Sequence, residues 1–250
     1  MPYSYTEYIK VVKRQLELNA ANWFFKEADH YRAILEHVSP EQGNMYLRYM
    51  QDEFADMLKD CRKMFEKNDK YGKPIKHDFG EPYGTCSPTN WRYLFQACLI
   101  LEYIQLHLQN KHVKFMEIGG GYGGLSLYLH WLAPRFGVSI DSYTIFDLED
   151  VCKLARRYTG VNHVDINACS TPNETEIKSD DHFLISCYGF SELDEVTRAM
   201  YEKTVIPKCE HGFLVWNEPK LYPFTKKTLK KTYDERPNTA HNWMNKFVYF

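Results

Sequence analysis

The chain lacks any uninterrupted apolar run of about 18 residues, so no membrane-spanning helix is expected. It also lacks the basic, apolar and small-residue succession of a secretory signal. Charge of one sign is missing too: 31 Lys and Arg stand against 33 Asp and Glu, a formal net charge of −2. Such a balance gives no reason to expect sequence-independent binding to nucleic acid. The seven cysteines (Cys61, Cys86, Cys98, Cys152, Cys169, Cys187 and Cys209) are odd in number, scattered, and contain no CxxC pair. That argues against a disulfide framework or a zinc site, and for reduced thiols in a reducing compartment. No internal repeat or low-complexity segment stands out. The expectation is a soluble, cytoplasmic protein without membrane insertion.

What is present is ample length and many aromatics. The 250 residues suit one α/β domain with an extension, and 19 Tyr with 15 Phe suit aromatic packing or a pocket that stacks on sugars and bases. Residues 1–75 read as a helical subdomain. Ser39-Pro40-Glu41-Gln42 is a helix start, with Ser as N-cap, Pro at the first helical position and Gln completing the capping box. One amphipathic helix is expected from there to Phe65, on the stripe Leu47, Met50, Phe54, Met57, Leu58, Cys61, Met64 and Phe65. This subdomain packs on the rest, or serves as a lid or an oligomerisation surface. A Gly/Pro-rich connection at 69–90 marks its boundary, with Tyr83 and His77 as residues able to reach a ligand. A buried helix over 91–108 follows.

From Val113 the pattern alternates. Strands are expected over 113–118, 142–146, 161–166, 183–187 and 212–216, with helices over 122–132, 148–158 and 193–205 between them. This implies a doubly wound, mostly parallel sheet with helices on both faces, spanning residues 76–250. Ligands in such sheets bind outside the carboxyl ends of the strands. The residues just after each strand are therefore site candidates, whereas His163, His182 and His211 fall at strand beginnings. His130, inside a helix, reads as a surface or packing residue.

The stretch that organises the rest is Lys114-Phe-Met-Glu-Ile-Gly-Gly-Gly-Tyr-Gly-Gly. Glycines here let backbone pass close to a ligand, and the following helix opens with free N–H groups. Gly119-x-Gly121-x-x-Gly124 matches the dinucleotide pattern, with Asp147 near the expected ribose-binding position. Glu117 stands against that reading. A carboxylate at this place would repel a pyrophosphate, by about 1 kcal/mol or more if partly desolvated. It suits instead a cofactor presenting an ammonium and a sulfonium, as S-adenosylmethionine (SAM) does.

Three segments together, Glu117-Ile-Gly-Gly-Gly-Tyr-Gly-Gly124, Phe146-Asp147-Leu148 and Tyr188-Gly-Phe-Ser-Glu-Leu193, resemble the Rossmann-like class I SAM-dependent methyltransferases. More narrowly, they resemble the sugar O-methyltransferases that modify surface glycans and exopolysaccharides in bacteria and large DNA viruses. For a viral chain the compartment would be the host cytoplasm. The resemblance covers about residues 79–218. It implies that Glu117, Gly119, Gly120, Gly121 and Tyr122 face the methionine end of SAM, and that Asp147 and Leu148 face the ribose. It places Asp165 and Asn167 near adenine, and Tyr188, Ser191 and Glu192 beside the methyl group. It also implies S-adenosylhomocysteine (SAH) as product. The family's terminal antiparallel hairpin looks incomplete, because the lysine-rich stretch 226–231 reads as helix and only 246–250 as strand. The chain is accordingly expected to be a domain of a larger protein.

The expected reaction is an in-line displacement that moves a methyl group to a sugar hydroxyl of a glycan, oligosaccharide or nucleotide-sugar. Positioning does most of the work, and a general base takes the hydroxyl proton. Glu192 is the first candidate for that base, Glu218 the second and His241 the third. No acidic cluster calls for a metal, and none is expected. The alternatives are a methyltransferase for an amino-sugar nitrogen or a phenol, and a SAM- or nucleotide-binding module without turnover. Candidate partners are a glycosyltransferase or a second copy of the chain.

Overall fold

The computed structural model describes residues 5–172, 177, 179–240 and 242–250. The N-terminal part is helical: α1 (Tyr5–Leu16), α2 (Asp29–Leu35), α3 (Pro40–Glu53) and α4 (Cys61–Asn68). The capping box at Ser39 forms as its residues require, with Gln42 N donating to Ser39 Oγ and Ser39 N donating to Gln42 Oε1. The single helix expected to run on to Phe65 is broken, however. Phe54 leaves helical backbone (φ −136°) and packs its buried ring on Phe95. A 3-10 turn, Ala55–Leu58, then leads to α4. The apolar stripe was continuous in sequence, but burying Phe54 needed a bend in the chain.

A short ribbon, β1 (His77–Asp78) with β2 (Thr85–Cys86), precedes the long helix α5 (Thr89–His107). Fifteen of the residues of α5 are buried, on all sides of the helix, which makes it the spine of the core. After it come β3 (His112–Ile118), α6 (Gly124–Leu132), β4 (Ser139–Phe146), α7 (Glu149–Val161), β5 (Asn167–Cys169) and β6 (His182–Cys187). The chain ends with α8 (Gly189–Glu192), α9 (Glu195–Thr204), β7 (Cys209–Trp216), β8 (Lys231–Asp234) and β9 (Lys246–Tyr249).

The main sheet has the order β5-β4-β3-β6-β7-β9-β8, with β3 to β7 parallel and β9 antiparallel to both neighbours. It is a doubly wound, Rossmann-like sheet. The strand order reverses beside β3, where β4 lies on one side and β6 on the other. A crevice therefore opens at the carboxyl ends of β3 and β6. Buried residues of the N-terminal part, such as Tyr8, Trp23, Tyr31 and Phe65, belong to the same apolar cluster as Phe115, Tyr143 and Phe213 of the strands.

Two expectations about the strands need correction. The third strand is not 161–166: Val161 still belongs to α7, a turn follows with His163 at φ 60°, and pairing begins at Asn167. The lysine-rich stretch 226–231 is not a helix. Lys231 opens β8, which pairs with β9, so the terminal hairpin is present. All four residues of β8 are exposed, and lysine on an exposed edge strand discourages further pairing. The backbone partner offered by β9 outweighs a weak helix preference.

Candidate active site

The glycine turn after β3 is built by close backbone approach. Gly119 adopts φ +77°, and a Cβ there would lie 2.9 Å from Gly189 Cα, at the start of α8. A Cβ on Gly120 would lie 2.7 Å from Glu117 Oε2. Glycine at these positions lets the turn fold down onto both α8 and the Glu117 carboxylate. Ser186, at the end of β6, ties the two elements together: its Oγ donates to Ile118 O at 2.8 Å and accepts from Phe190 N at 2.8 Å.

A cavity of about 710 Å³ opens here, within the usual size range for a small-molecule site. Of the candidate residues, Glu117, Gly119, Gly120, Gly121, Asp147, Leu148, Tyr188 and Glu192 border it. Asp147 anchors the turn: Gly121 N donates to its Oδ2 at 2.9 Å and Leu148 N to its Oδ1 at 2.7 Å. Each oxygen keeps a second lone pair for a ligand. Glu117 is 2% exposed, and Tyr143 Oη donates to its Oε2 at 2.8 Å. Burial outweighs that hydrogen bond and raises Glu117 to about 7, while burial raises Asp147 to about 6 against its two backbone donors. Two carboxyl groups thus border one cavity, and no Lys or Arg forms a salt bridge with either among the described residues. A cation in the cavity would favour their ionised forms.

Glu192 lies at the mouth. Its Oε2 accepts from Tyr5 Oη at 2.9 Å and its Oε1 from Asn217 Nδ2 at 2.8 Å. Tyr5 belongs to α1, so the N-terminal helices reach across the cavity, and Tyr8 borders it as well. Tyr188 takes a positive φ of 70° directly after β6, a strained value for a residue with a bulky side chain. Its hydroxyl donates to Glu235 Oε1.

Several expected residues lie elsewhere. Tyr122 is buried away from the cavity, its hydroxyl donating to Glu36 Oε1 at 2.8 Å and its ring 4.5 Å from Lys26 Nζ. Ser191 is buried and braces α8, with Oγ bonded to Tyr188 O and Asn217 Oδ1. Asp165 and Asn167 border a different cleft, beside Lys70, Trp131 and His163, because β5 starts later than expected. Ser170, just after β5, borders the main cavity instead. Glu218 does not border it, although its neighbour Asn217 does. His241 lies outside the described residues. Tyr83 packs on Trp91 and His77 on Phe79, both off the cavity.

The sequence reading missed three contributions. Arg92 and Gln96 face the cavity from α5, which read only as a buried apolar helix. Glu235, buried at 1% exposure, follows β8 and holds Tyr188, Thr239 and Asn245. The segment between β8 and β9 supplies Thr239, Asn242, Trp243 and Asn245 to the rim. Polar residues unusually placed on a buried helix were the one signal available for the first pair. Among the described residues no cluster of His, Cys, Asp or Glu could hold a metal ion.

No protein-family model and no curated protein matches the chain. Solved structures do. A ribosomal protein L11 methylase from Lactobacillus delbrueckii subsp. bulgaricus is 12% identical, with 72% of this chain and 85% of that chain covered and a TM-score of 0.42. The CMeT domain of the citrinin polyketide synthase is 15% identical, with 82% and 67% covered and a TM-score of 0.44. TrmK of M. capricolum, solved with SAH, is 11% identical, with 60% and 66% covered and a TM-score of 0.38.

Proposed function

We propose that the protein is a SAM-dependent methyltransferase acting on a sugar hydroxyl. The observation that carries the cofactor is the pair of carboxyl groups, Glu117 and Asp147, bordering one cavity beside a glycine turn at the sheet's switch point. A dinucleotide would bring a pyrophosphate to this place, against Glu117. SAM would bring an ammonium there, with a ribose diol for the free lone pairs of Asp147 and an adenine for the apolar shelf of Leu148, Met200 and Tyr201. The chain's residues therefore fit the cofactor, which when bound supplies an activated methyl group.

The sugar rests on the rim. Trp243 is 38% exposed at the cavity mouth, held by its Nε1 donating to Asn217 O at 3.1 Å. Around it stand Thr239, Asn242 and Asn245, neutral groups able to donate and accept. An apolar ring edged by amides and hydroxyls suits the alternating C–H and O–H surface of a sugar. Glu192 is the proposed general base. Held by Tyr5 and Asn217, each of its oxygens keeps a lone pair for the acceptor proton. Glu218 and His241 follow it as weaker candidates. The helix α1, bridging from Tyr5 to Glu192, is the proposed lid of the site.

The test is methyl transfer from labelled SAM to a panel of mono- and oligosaccharides, with tRNA and a phenol as competing acceptors. Transfer to a sugar is expected, and Glu192→Gln should lower kcat about 10²–10⁴-fold while SAH binding persists. Transfer to RNA or phenol alone would overturn the sugar assignment, and unchanged kcat would remove Glu192 as the base.

A further inference from the structure

The face of α5 toward the cavity carries a buried positive charge without an ionic partner. Arg92 is 3% exposed and borders the cavity. Among the described residues it forms no ion pair: its Nη2 donates to Leu35 O at 2.8 Å, and its Nη1 lies 3.2 Å from His37 Nε2. Arginine only donates, so His37 Nε2 accepts and the ring is neutral, with its proton on Nδ1 toward Ile34 O at 3.0 Å. Burial and the guanidinium together press His37 down to about 3, in keeping with that tautomer. The guanidinium also lies over the faces of Tyr93 and Tyr188, each with its centroid 5.6 Å from Arg92 Cζ. Glu36 contributes charge from a distance, but its own oxygens are engaged by Tyr122 and Ser87. Glu235 is likewise engaged, by Tyr188, Thr239 and Asn245.

One turn along the same face, Gln96 is 1% exposed, borders the cavity, and among the described residues has no hydrogen-bond partner for either side-chain amide atom. A buried unpartnered amide and a buried guanidinium with only neutral partners are both costly unless a ligand completes them. Their spacing of four residues puts them side by side on the helix. Arginine presents a planar fork of donors to an anionic oxygen group. Glutamine adds one more donor, and an acceptor for a neighbouring hydroxyl.

Building on the methyltransferase reading, we propose that Arg92 and Gln96 are the specificity site for an anionic group, carboxylate or phosphate, on a hydroxylated acceptor. The acceptor would then be an acidic or phosphorylated sugar, with Trp243 and the neutral rim taking the rest of it.

The test is calorimetric titration of D-glucuronate, glucose 6-phosphate and glucose into the full chain, with and without saturating SAH. At least one of the two anions should bind at least about tenfold more tightly than glucose, and the tighter one identifies the source of the charge. The R92Q variant should lose that preference while keeping its SAH affinity. Should R92Q fail to fold, Q96M is the second variant, and it should weaken the preferred anion several-fold with SAH binding unchanged. Equal binding of all three sugars, no binding of any, or anion binding unchanged in Q96M contradicts the proposal. An equal loss of SAH affinity in R92Q also overturns it, because the anionic group would then be the carboxylate of the cofactor. Arg92-dependent anion binding by a protein that does not bind SAH would instead uphold the anion site and refute the methyltransferase reading.

Discussion

Glu117 is the residue on which the cofactor assignment turns, and its titration gives a test. Burial raises Glu117 to about 7 and Asp147 to about 6, so at neutral pH part of the empty site is protonated. An ammonium-bearing ligand binds the ionised forms, so binding must release protons. Affinity for SAM should therefore fall as pH drops through about 7 and then about 6, by up to about tenfold per unit for each proton. Glu117→Gln should weaken binding about 10- to 100-fold at pH 8 and remove the step near pH 7. The empty protein supplies the reciprocal sign. A carboxyl raised on folding contributes stability that is fully present below its unfolded value and is lost as pH rises through its folded value. Relative to Glu117→Gln, the wild type should thus lose stability between about pH 4.5 and 7, by up to about 3 kcal/mol in urea denaturation. A flat affinity profile between pH 5 and 8 would mean that no cation meets Glu117.

Among the elements, α1 connects the helical part to the chemistry. Its contact with the mouth is the hydrogen bond from Tyr5, 46% exposed, to Glu192. Arg157 of α7 secures its far end by donating to Leu16 O at 2.7 Å. An exposed bond of this kind adds little stability, about 1 kcal/mol or less. Tyr5→Phe should therefore leave the melting temperature nearly unchanged. It should speed SAH release several-fold in stopped-flow measurements if α1 is a lid, whereas an unchanged release rate would leave α1 as packing alone. Which elements were legible follows from the same physics. Strands β3, β6 and β7 were readable because their apolar runs are buried on both faces and bounded by turns. Strand β5 is three residues long and follows a helix that overruns its apparent end, so local pattern gave little to read. Strand β8 is wholly exposed and exists through its pairing with β9, a partnership no local pattern encodes.

At the scale of the whole molecule, the helical part and the sheet share one apolar cluster. The buried ammonium of Lys26 bonds across them, to Asn68 O and to Tyr158 Oη at 2.8 Å. Unfolding should accordingly be a single cooperative transition by calorimetry, with equal calorimetric and van't Hoff enthalpies. Two resolved transitions would show residues 1–75 to be an independent unit. The parts of the site that sequence could reveal lie in the contiguous turn 117–124 and after the strong strands, where topology alone positions them. Tyr5, Arg92 and Asn245 come from three distant segments, and only the assembled core brings them to one cavity.

The central claim is that this cavity holds SAM through Glu117 and Asp147, and calorimetric titration of SAH and of NAD into the protein tests it most directly. One SAH should bind per chain, about 10- to 100-fold more weakly in Glu117→Gln, and NAD should produce no binding heat. Binding of NAD, or SAH affinity indifferent to Glu117, would contradict it.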